Sequence, residues 1–358
     1  MPRKPPAGVE VTSPVPRELW WELIERDGGA LVTQTPTWLD CLCATWPLAD
    51  ASRLYRFDSG RRLLVPLVRH RRRAARLLTE ESWPGWGVGG AVVPDTPDGT
   101  PDPGEARLVF EDLAARPALR VAVRFNPRAA RAVWDEAVPG AFAAVDRTTY
   151  LLDLAGGFEE VWAHRFHQGV RRGVRQAERA DVEVEVDRGG RLVPQFRRLH
   201  ERSVVRWAEQ QHEPAALARW RHRREEPARL LEAVAERFGD SCAIWLARCG
   251  GEPAAAIVVL RHGTHTKYWR GAMDRRLAHP VHANHLLHRL AVEDACAAGS
   301  LVYDMGDARP DSSLAAFKQS FGARPVASPA YYRERLPLTA ADRRLRGVVK
   351  RVIGFRDA

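Results

Sequence analysis

Lysine is rare in this chain: Lys4, Lys267, Lys318 and Lys350 stand among 55 basic residues, the rest arginine. Lys318 lies in Phe317-Lys-Gln-Ser-Phe-Gly322, where Phe317 and Phe321, at i and i+4, share the buried face of a helix. A lysine beside that face can reach inward. Its ammonium is a compact point charge, suited to neutralising a phosphate or a developing oxyanion. Asp304, in Tyr303-Asp-Met-Gly306, ends a strand pattern, and open α/β sheets bind ligands at strand C-terminal ends. The segment Lys267-Tyr-Trp-Arg-Gly-Ala-Met-Asp274 alternates as a strand. It sends Lys267, Trp269 and Gly271 to one face and Tyr268, Arg270 and Ala272 to the other, so one face packs while the other lines a cleft. Gly271 signals a bulge or a close approach of ligand to backbone. Core packing of Tyr268 and Trp269 is the plain alternative.

Two further clusters are suited to binding. Arg171, Arg175 and Arg179 recur at i, i+4 and i+8 with Arg172 beside them, so one helix carries a cationic ridge. Guanidinium forks pair with phosphate through two parallel hydrogen bonds, and like charges on one stripe repel unless an anion relieves them. A solvated face is the alternative. His282, His285 and His288 follow at threefold spacing, but no carboxylate or cysteine accompanies them. Packing, with a place for Asn284 or His285 at a reaction cleft, is expected in preference to metal binding.

The elements that must hold these residues follow from periodicity. Helical spacing covers residues 17–26 and 37–45, the second behind a Thr35-Pro36 cap. Strand patterns cover 53–57 and 62–68, followed by loops over 83–90 and 94–104, a helix over 105–115, a strand over 119–125 and a helix over 127–137. A strand at 150–154 is expected to close this first half. The second half opens with one helix over about 157–179, a strand at 182–186 and helices over 193–210 and 227–238. A three-strand meander follows, over 242–249, 253–261 and 264–272, turning at Gly250-Gly251 and His262-Gly263. A helix over 282–298 stops at Gly299, a natural left-handed residue after a helix end. A strand at 301–305, a helix over 312–321, one last strand over 324–333 and a basic helix over 339–355 complete the chain.

At 358 residues the chain is long enough for two domains. The expected limits are a loose N-terminus over 1–18, domains over 19–150 and 151–336, and a basic C-terminal helix over 337–358. The longest apolar run is far short of a membrane span and no secretory leader is evident, so a cytoplasmic protein is expected. Five cysteines without metal spacing fit reduced thiols. A net charge of +10 favours anionic partners, although arginine bias alone also produces it. Dinucleotide, Walker, zinc-protease and serine-hydrolase motifs do not occur.

Leu152-Asp-Leu154, Arg171-Arg-Gly-Val-Arg-Gln-Ala-Glu178, the segment from Tyr268 to Asp274, Asn284-His-Leu-Leu-His288, Tyr303-Asp-Met-Gly306 and Leu314-Ala-Ala-Phe-Lys-Gln-Ser-Phe-Gly322 stand in an order that resembles FemABX-like proteins of the GNAT acyltransferase superfamily. The resemblance is strongest over 149–332, weaker over 20–150 and absent from the basic tail. It implies an α/β fold of two tandem GNAT-like domains with mixed β-sheets, and an N-acyltransferase whose acceptor and donor meet in a cleft. The implied catalytic residues are Lys318, Asp304 and Tyr268. Arg171, Arg172, Arg175, Trp207, Arg270, Asn284 and His285 are expected to bind substrate.

Aminoacyl-tRNA is the donor expected, with no cofactor and no metal. The acceptor expected is an amine-bearing small molecule or peptidoglycan precursor, with peripheral membrane contact in keeping with the charge. Acetyl-CoA is the alternative donor. It is disfavoured because residues 275–284, where GNAT proteins carry a glycine-rich pyrophosphate loop, contain no glycine. The helical hairpin of several peptidoglycan Fem enzymes is not evident either, so tRNA contact would rest on the basic surface. A non-catalytic module binding RNA or other anions is the second alternative.

Overall fold

A computed structural model describes residues 8–70, 79–82, 87–96, 99–129, 131–227 and 229–352. Its strands are β1 (Val9–Thr12), β2 (Leu48–Asp50), β3 (Arg53–Phe57), β4 (Arg62–Val65), β5 (Val68–His70), β6 (Thr79–Glu81), β7 (Arg120–Arg124) and β8 (Ala143–Val145), then β9 (Thr148–Asp153), β10 (Glu183–Asp187), β11 (Cys242–Cys249), β12 (Glu252–His262), β13 (His265–Met273), β14 (Val302–Asp307), β15 (Arg324–Ala327) and β16 (Ala330–Glu334). The α-helices are α1 (Arg17–Glu25), α2 (Pro36–Thr45), α3 (Pro103–Ala115), α4 (Arg131–Ala137), α5 (Gly157–Glu160), α6 (Gln168–Arg179), α7 (Val193–Gln210), α8 (Ala215–Glu225), α9 (Arg229–Phe238), α10 (Arg275–Ala278), α11 (Ala283–Ala297), α12 (Ser313–Ser320) and α13 (Leu338–Val352).

The strands form a three-stranded sheet in the order β1-β3-β4, a six-stranded sheet β2-β5-β6-β7-β16-β8 and a seven-stranded sheet β10-β11-β12-β13-β14-β9-β15. The two larger sheets are mixed, each with a single parallel junction, β6 with β7 and β13 with β14. A helix crosses over at each junction, α3 in the first half and α11 in the second. The seven-stranded sheet is buried on both faces. One packs against α6, α11 and the end of α12 through residues such as Val174, Leu287 and Phe321. The other packs against α1, α2, α7 and α9 through Trp38, Phe196, Val234 and Trp269.

Local chemistry sets the ends of the elements that matter. Thr35 caps α2 by accepting from the Trp38 N–H at 3.3 Å, and Ser312 caps α12 by accepting from the Ala315 N–H at 3.1 Å. Gly322 follows α12 at φ +82°, and a Cβ there would fall 2.5 Å from the Arg165 carbonyl oxygen, so no side chain fits. The meander forms as its spacing predicts, as β11, β12 and β13.

Pairing redraws several expected boundaries. The strand expected to close the first half, β9, instead lies inside the second sheet between β14 and β15. The single strand expected over 324–333 divides: β15 pairs with β9, then the chain crosses at Ser328, whose N–H donates to the Arg147 carbonyl, and β16 inserts between β7 and β8. The halves therefore exchange strands, and limits at 150 and 336 do not separate the sheets. Near the N-terminus, β1 pairs with β3, so residues 8–18 are not loose; residues 1–7 lie outside the described residues. Residues 83–86 of the expected loop and the end of the basic helix beyond 352 also lie outside them. The helix expected over 157–179 is broken by a π-helical turn at Val161–Arg165 and by extended backbone at His167, whose N–H donates to the Ser320 carbonyl at 2.9 Å. Periodicity gave no sign of α8.

Candidate active site

β13 and β14 pair over three residues only: His265 with Val302, Thr266 with Tyr303 and Lys267 with Asp304. Beyond that point β13 continues to Met273 beside β12, and β14 continues to Asp307 beside β9. Two parallel strands thus part at a buried ion pair, with Lys267 Nζ 2.6 Å from Asp304 Oδ2. His265 Nε2 lies 3.4 Å from the same oxygen. Its Nδ1 accepts from the Val32 N–H at 3.3 Å, which leaves the ring proton on Nε2, facing the carboxylate. Asp304 Oδ1 accepts from the Gly306 N–H at 2.7 Å, bracing a turn in which Gly306 takes φ +75°. Burial alone would raise the Asp304 carboxyl, but the charge of Lys267 and the adjacent His265 ring outweigh it and hold the group well below the ordinary carboxylate range.

Lys318 enters this region from α12 and is 3% exposed. Its Nζ donates to the Asp307 carbonyl oxygen at 2.7 Å and stands 5.7 Å from the centre of the Tyr150 ring. Burial lowers its pKa from the ordinary value to about 8, only partly offset by the charges of Asp304 and Asp307. The Asp307 carboxylate is taken by Arg124 of β7 through two bonds of 2.7 and 2.8 Å, and by Thr149 at 2.8 Å. The first half therefore reaches into the site through Arg124.

Aromatic rings wall the other side. Tyr268 and His288 meet edge to face at 4.6 Å, and His288 Nδ1 lies 3.2 Å from the Tyr303 hydroxyl. His285 packs on Phe317 and Phe321 at 5.6 and 5.7 Å. Burial pushes His285 down to about 4 and His288 down to about 3, so both are neutral at pH 7, and it pushes the Tyr268 phenol up to about 12. A Cβ on Gly271 would fall 2.0 Å from the Tyr268 hydroxyl, which therefore lies directly over that glycine. This corrects the simple alternation expected for the strand. Register with β12 shifts between Val258 and Val259, leaving Trp269 as an extra residue, so Tyr268 and Gly271 share a face and Trp269 and Ala272 pack on the opposite one.

Lys318, Asp304, Tyr268 and His285 are thus brought together, and Asn284 stands nearby with Nδ2 3.3 Å from Met273 Sδ. Other expected residues lie apart. Arg270 is paired with Glu226 at 2.9 Å behind the bulge, and Trp207 packs among His200 and His222 beside α8. The three arginines of α6 expected to bind substrate do not act alike: Arg171 donates to the carbonyls of Trp162 and Ala163 at the broken turn, whereas Arg172 and Arg175 are exposed. Sequence reasoning passed over Lys267, His265, Arg124 and Asp307 as site residues. Lys267 carried a signal, as another of the four lysines; His265 and Arg124 become site residues only through contacts between distant segments.

Residues 164–319 match the family model described as an acetyltransferase (GNAT) domain. No protein of curated function matches the sequence. Among solved structures, FemX superposes with a TM-score of 0.62 at 12% identity, covering 95% of this chain and 100% of that one. A conserved protein of unknown function from Bacteroides thetaiotaomicron gives 0.54 at 9% identity, covering 90% and 98%. The C-terminal domain assigned to a lysylphosphatidylglycerol synthetase from Agrobacterium fabrum gives 0.50 at 15% identity, covering 94% and 97%. At such identities the superpositions describe the fold. The chain thus has the α/β fold of two GNAT-like halves seen in FemX, and its residues 164–319 form an acyltransferase domain of the GNAT type.

Proposed function

We propose that the protein is an aminoacyltransferase that moves an aminoacyl group from aminoacyl-tRNA to an amine of a cell-wall precursor or natural-product acceptor, in the cytoplasm, where charged tRNA is made. One observation carries the reading: Lys318, buried and lowered to about 8, is held by a carbonyl where two parallel strands part. In transfer from an ester, the acceptor nitrogen attacks the carbonyl carbon, the new N–C bond forms, the ester C–O bond breaks, and the amine proton leaves with the departing alkoxide. Negative charge gathers on the carbonyl oxygen in between, and the Lys318 ammonium meets that demand. Asp304 has both oxygens engaged, which suits it to positioning: through Gly306 it fixes the turn that offers the Asp307 carbonyl to Lys318. Tyr268 remains protonated and can orient the amine. Exposed Arg172 and Arg175 add to the field that attracts a phosphorylated partner.

The segment ahead of α11 supports an aminoacyl donor over CoA. It holds the short turn α10 and no glycine, and His282 itself takes the left-handed backbone at φ +53°. One feature favours the acyl-CoA reading: beyond Lys267 the edges of β13 and β14 face each other unpaired, and such edges can hydrogen-bond an extended, amide-bearing arm. Purified protein given a charged tRNA pool or an acyl-CoA mixture, with candidate amines, separates the two by mass spectrometry of the products. An amide formed only from charged tRNA supports the first reading, and one formed only from acyl-CoA replaces it with the second. No product from either, with salt-dependent anion binding that survives Lys318→Met combined with Asp304→Asn, would leave a binding module.

A further inference from the structure

The reaction cleft makes no use of α13. The helix follows β16, and its 15 residues carry five cations, Arg343, Arg344, Arg346, Lys350 and Arg351, against the single carboxylate of Asp342. At helical spacing Ala341, Leu345 and Val348 fall on one face, with Arg344 and Arg351, seven apart, along its edge. These five side chains are exposed, Leu345 at 65% and Val348 at 52%, and Leu336 just before the helix is 53% exposed. Leucine and valine left in water beside a basic edge mark a surface that awaits a partner. At about 22 Å the helix is too short to cross a bilayer, and no helix among the described residues is long and apolar enough to do so.

Three occupants compete for this face, and only one uses both of its halves. An RNA would use the cations and gain nothing from Leu345 and Val348. A second copy would bury Leu345 and Val348, but a twofold pairing would bring the Arg344 and Arg351 edges of both copies together. A membrane surface bearing anionic lipid takes the apolar face into the headgroup and acyl boundary and sets the arginines on lipid phosphates. We infer that α13 is a surface anchor for an anionic bilayer, lying in the plane of the interface with Leu345 and Val348 inserted and Arg344 and Arg351 on the headgroups. The inference does not depend on which donor the cleft accepts.

The test is co-sedimentation of the full chain with vesicles of phosphatidylcholine alone and of phosphatidylcholine with about a third phosphatidylglycerol. Both variant pairs change only exposed residues, so the fold is kept. Binding is expected to the anionic vesicles only, to weaken at high salt, and to fall at least tenfold both in Leu345→Asp with Val348→Asp and in Arg344→Glu with Arg351→Glu. Equal binding by the wild type and the aspartate pair would overturn the anchor, as would no binding to anionic vesicles at all. Light scattering that shows a dimer broken by the aspartate pair gives the face to a second copy. Retention of a tRNA-sized RNA that is lost only in the glutamate pair gives it to nucleic acid.

Discussion

The first half runs β6-β7-β16-β8 and the second runs β13-β14-β9-β15: in each, a parallel pair joined by a helix, then a strand borrowed from elsewhere in the chain, then a last strand. What differs is how buried charge is treated near each junction. In the first half Arg53 donates to Asp112 at 2.7 Å, the Tyr55 hydroxyl donates to the same carboxylate at 2.8 Å, and Arg116 grips Glu80 through bonds of 2.9 and 3.0 Å. Arg53 and Arg116 there each have their own carboxylate. In the second half Lys267 is satisfied by Asp304, but Lys318 receives a carbonyl and a ring face. Its ammonium carries the cost of burial as a lowered pKa. Saturated charge reads as architecture, and a buried cation left short of a counter-charge reads as a place prepared for a negative ligand.

The largest effect expected on that contrast is structural. Asp112→Asn strands the Arg53 charge at 8% side-chain exposure and should cost about 3 to 5 kcal/mol in urea unfolding, with kcat/KM per folded molecule unchanged. A large loss of activity in folded Asp112→Asn protein would erase the distinction between the halves. Next, Lys318→Met and Lys318→Arg should each lower kcat/KM by about 10²-fold or more while the protein stays folded, since a planar fork does not replace a compact ammonium. Full activity in both would remove Lys318 from the chemistry.

Stability should move the other way at the same residue. Folding takes Lys318 from an ordinary pKa of 10.5 to about 8, so below pH 8 the native state holds the proton at a penalty the unfolded chain does not bear. The penalty is about 3 kcal/mol at most, less what the bond to Asp307 returns. It shrinks as pH rises from 8 towards 10.5. Lys318→Met should therefore be more stable than the wild type at pH 7, and its advantage should fade across that window in urea titrations. A loss of stability at pH 7 would mean that the carbonyl and the Tyr150 ring already compensate the charge.

Much of this is legible in the amino-acid sequence. The meander, the helix capped by Thr35, the helix stopped at Gly299 and the Lys318 helix follow from periodicity and local signals. Strand exchange was not legible: β9 and β16 read as ordinary strands, and nothing within them names their partners. The single extra residue at Trp269 reversed the facing of the rest of its strand, as a slip of one residue always does. Within the site, Lys318, Asp304 and Tyr268 came from short motifs. Arg124 and His265 act on it across 183 residues to Asp307 and 233 residues to Val32, and periodicity carries no information at such separations.

The smallest effect expected concerns the ridge on α6, where the contrast between paired and unpaired charge recurs within one helix. Arg171 satisfies carbonyls freed at the broken turn, so Arg171→Gln should lower the melting temperature whatever the ligand. Arg172 and Arg175 are exposed, so their replacement by glutamine should leave melting unchanged. If they attract a phosphorylated donor, the double variant should lose a few-fold in kcat/KM at low salt, through KM, and none at half-molar salt, where the Debye length falls to about 4 Å. A loss independent of salt would place the pair in direct contact with substrate. No loss at either salt would make the ridge an ordinary solvated face and leave the attraction of anions to other parts of the surface.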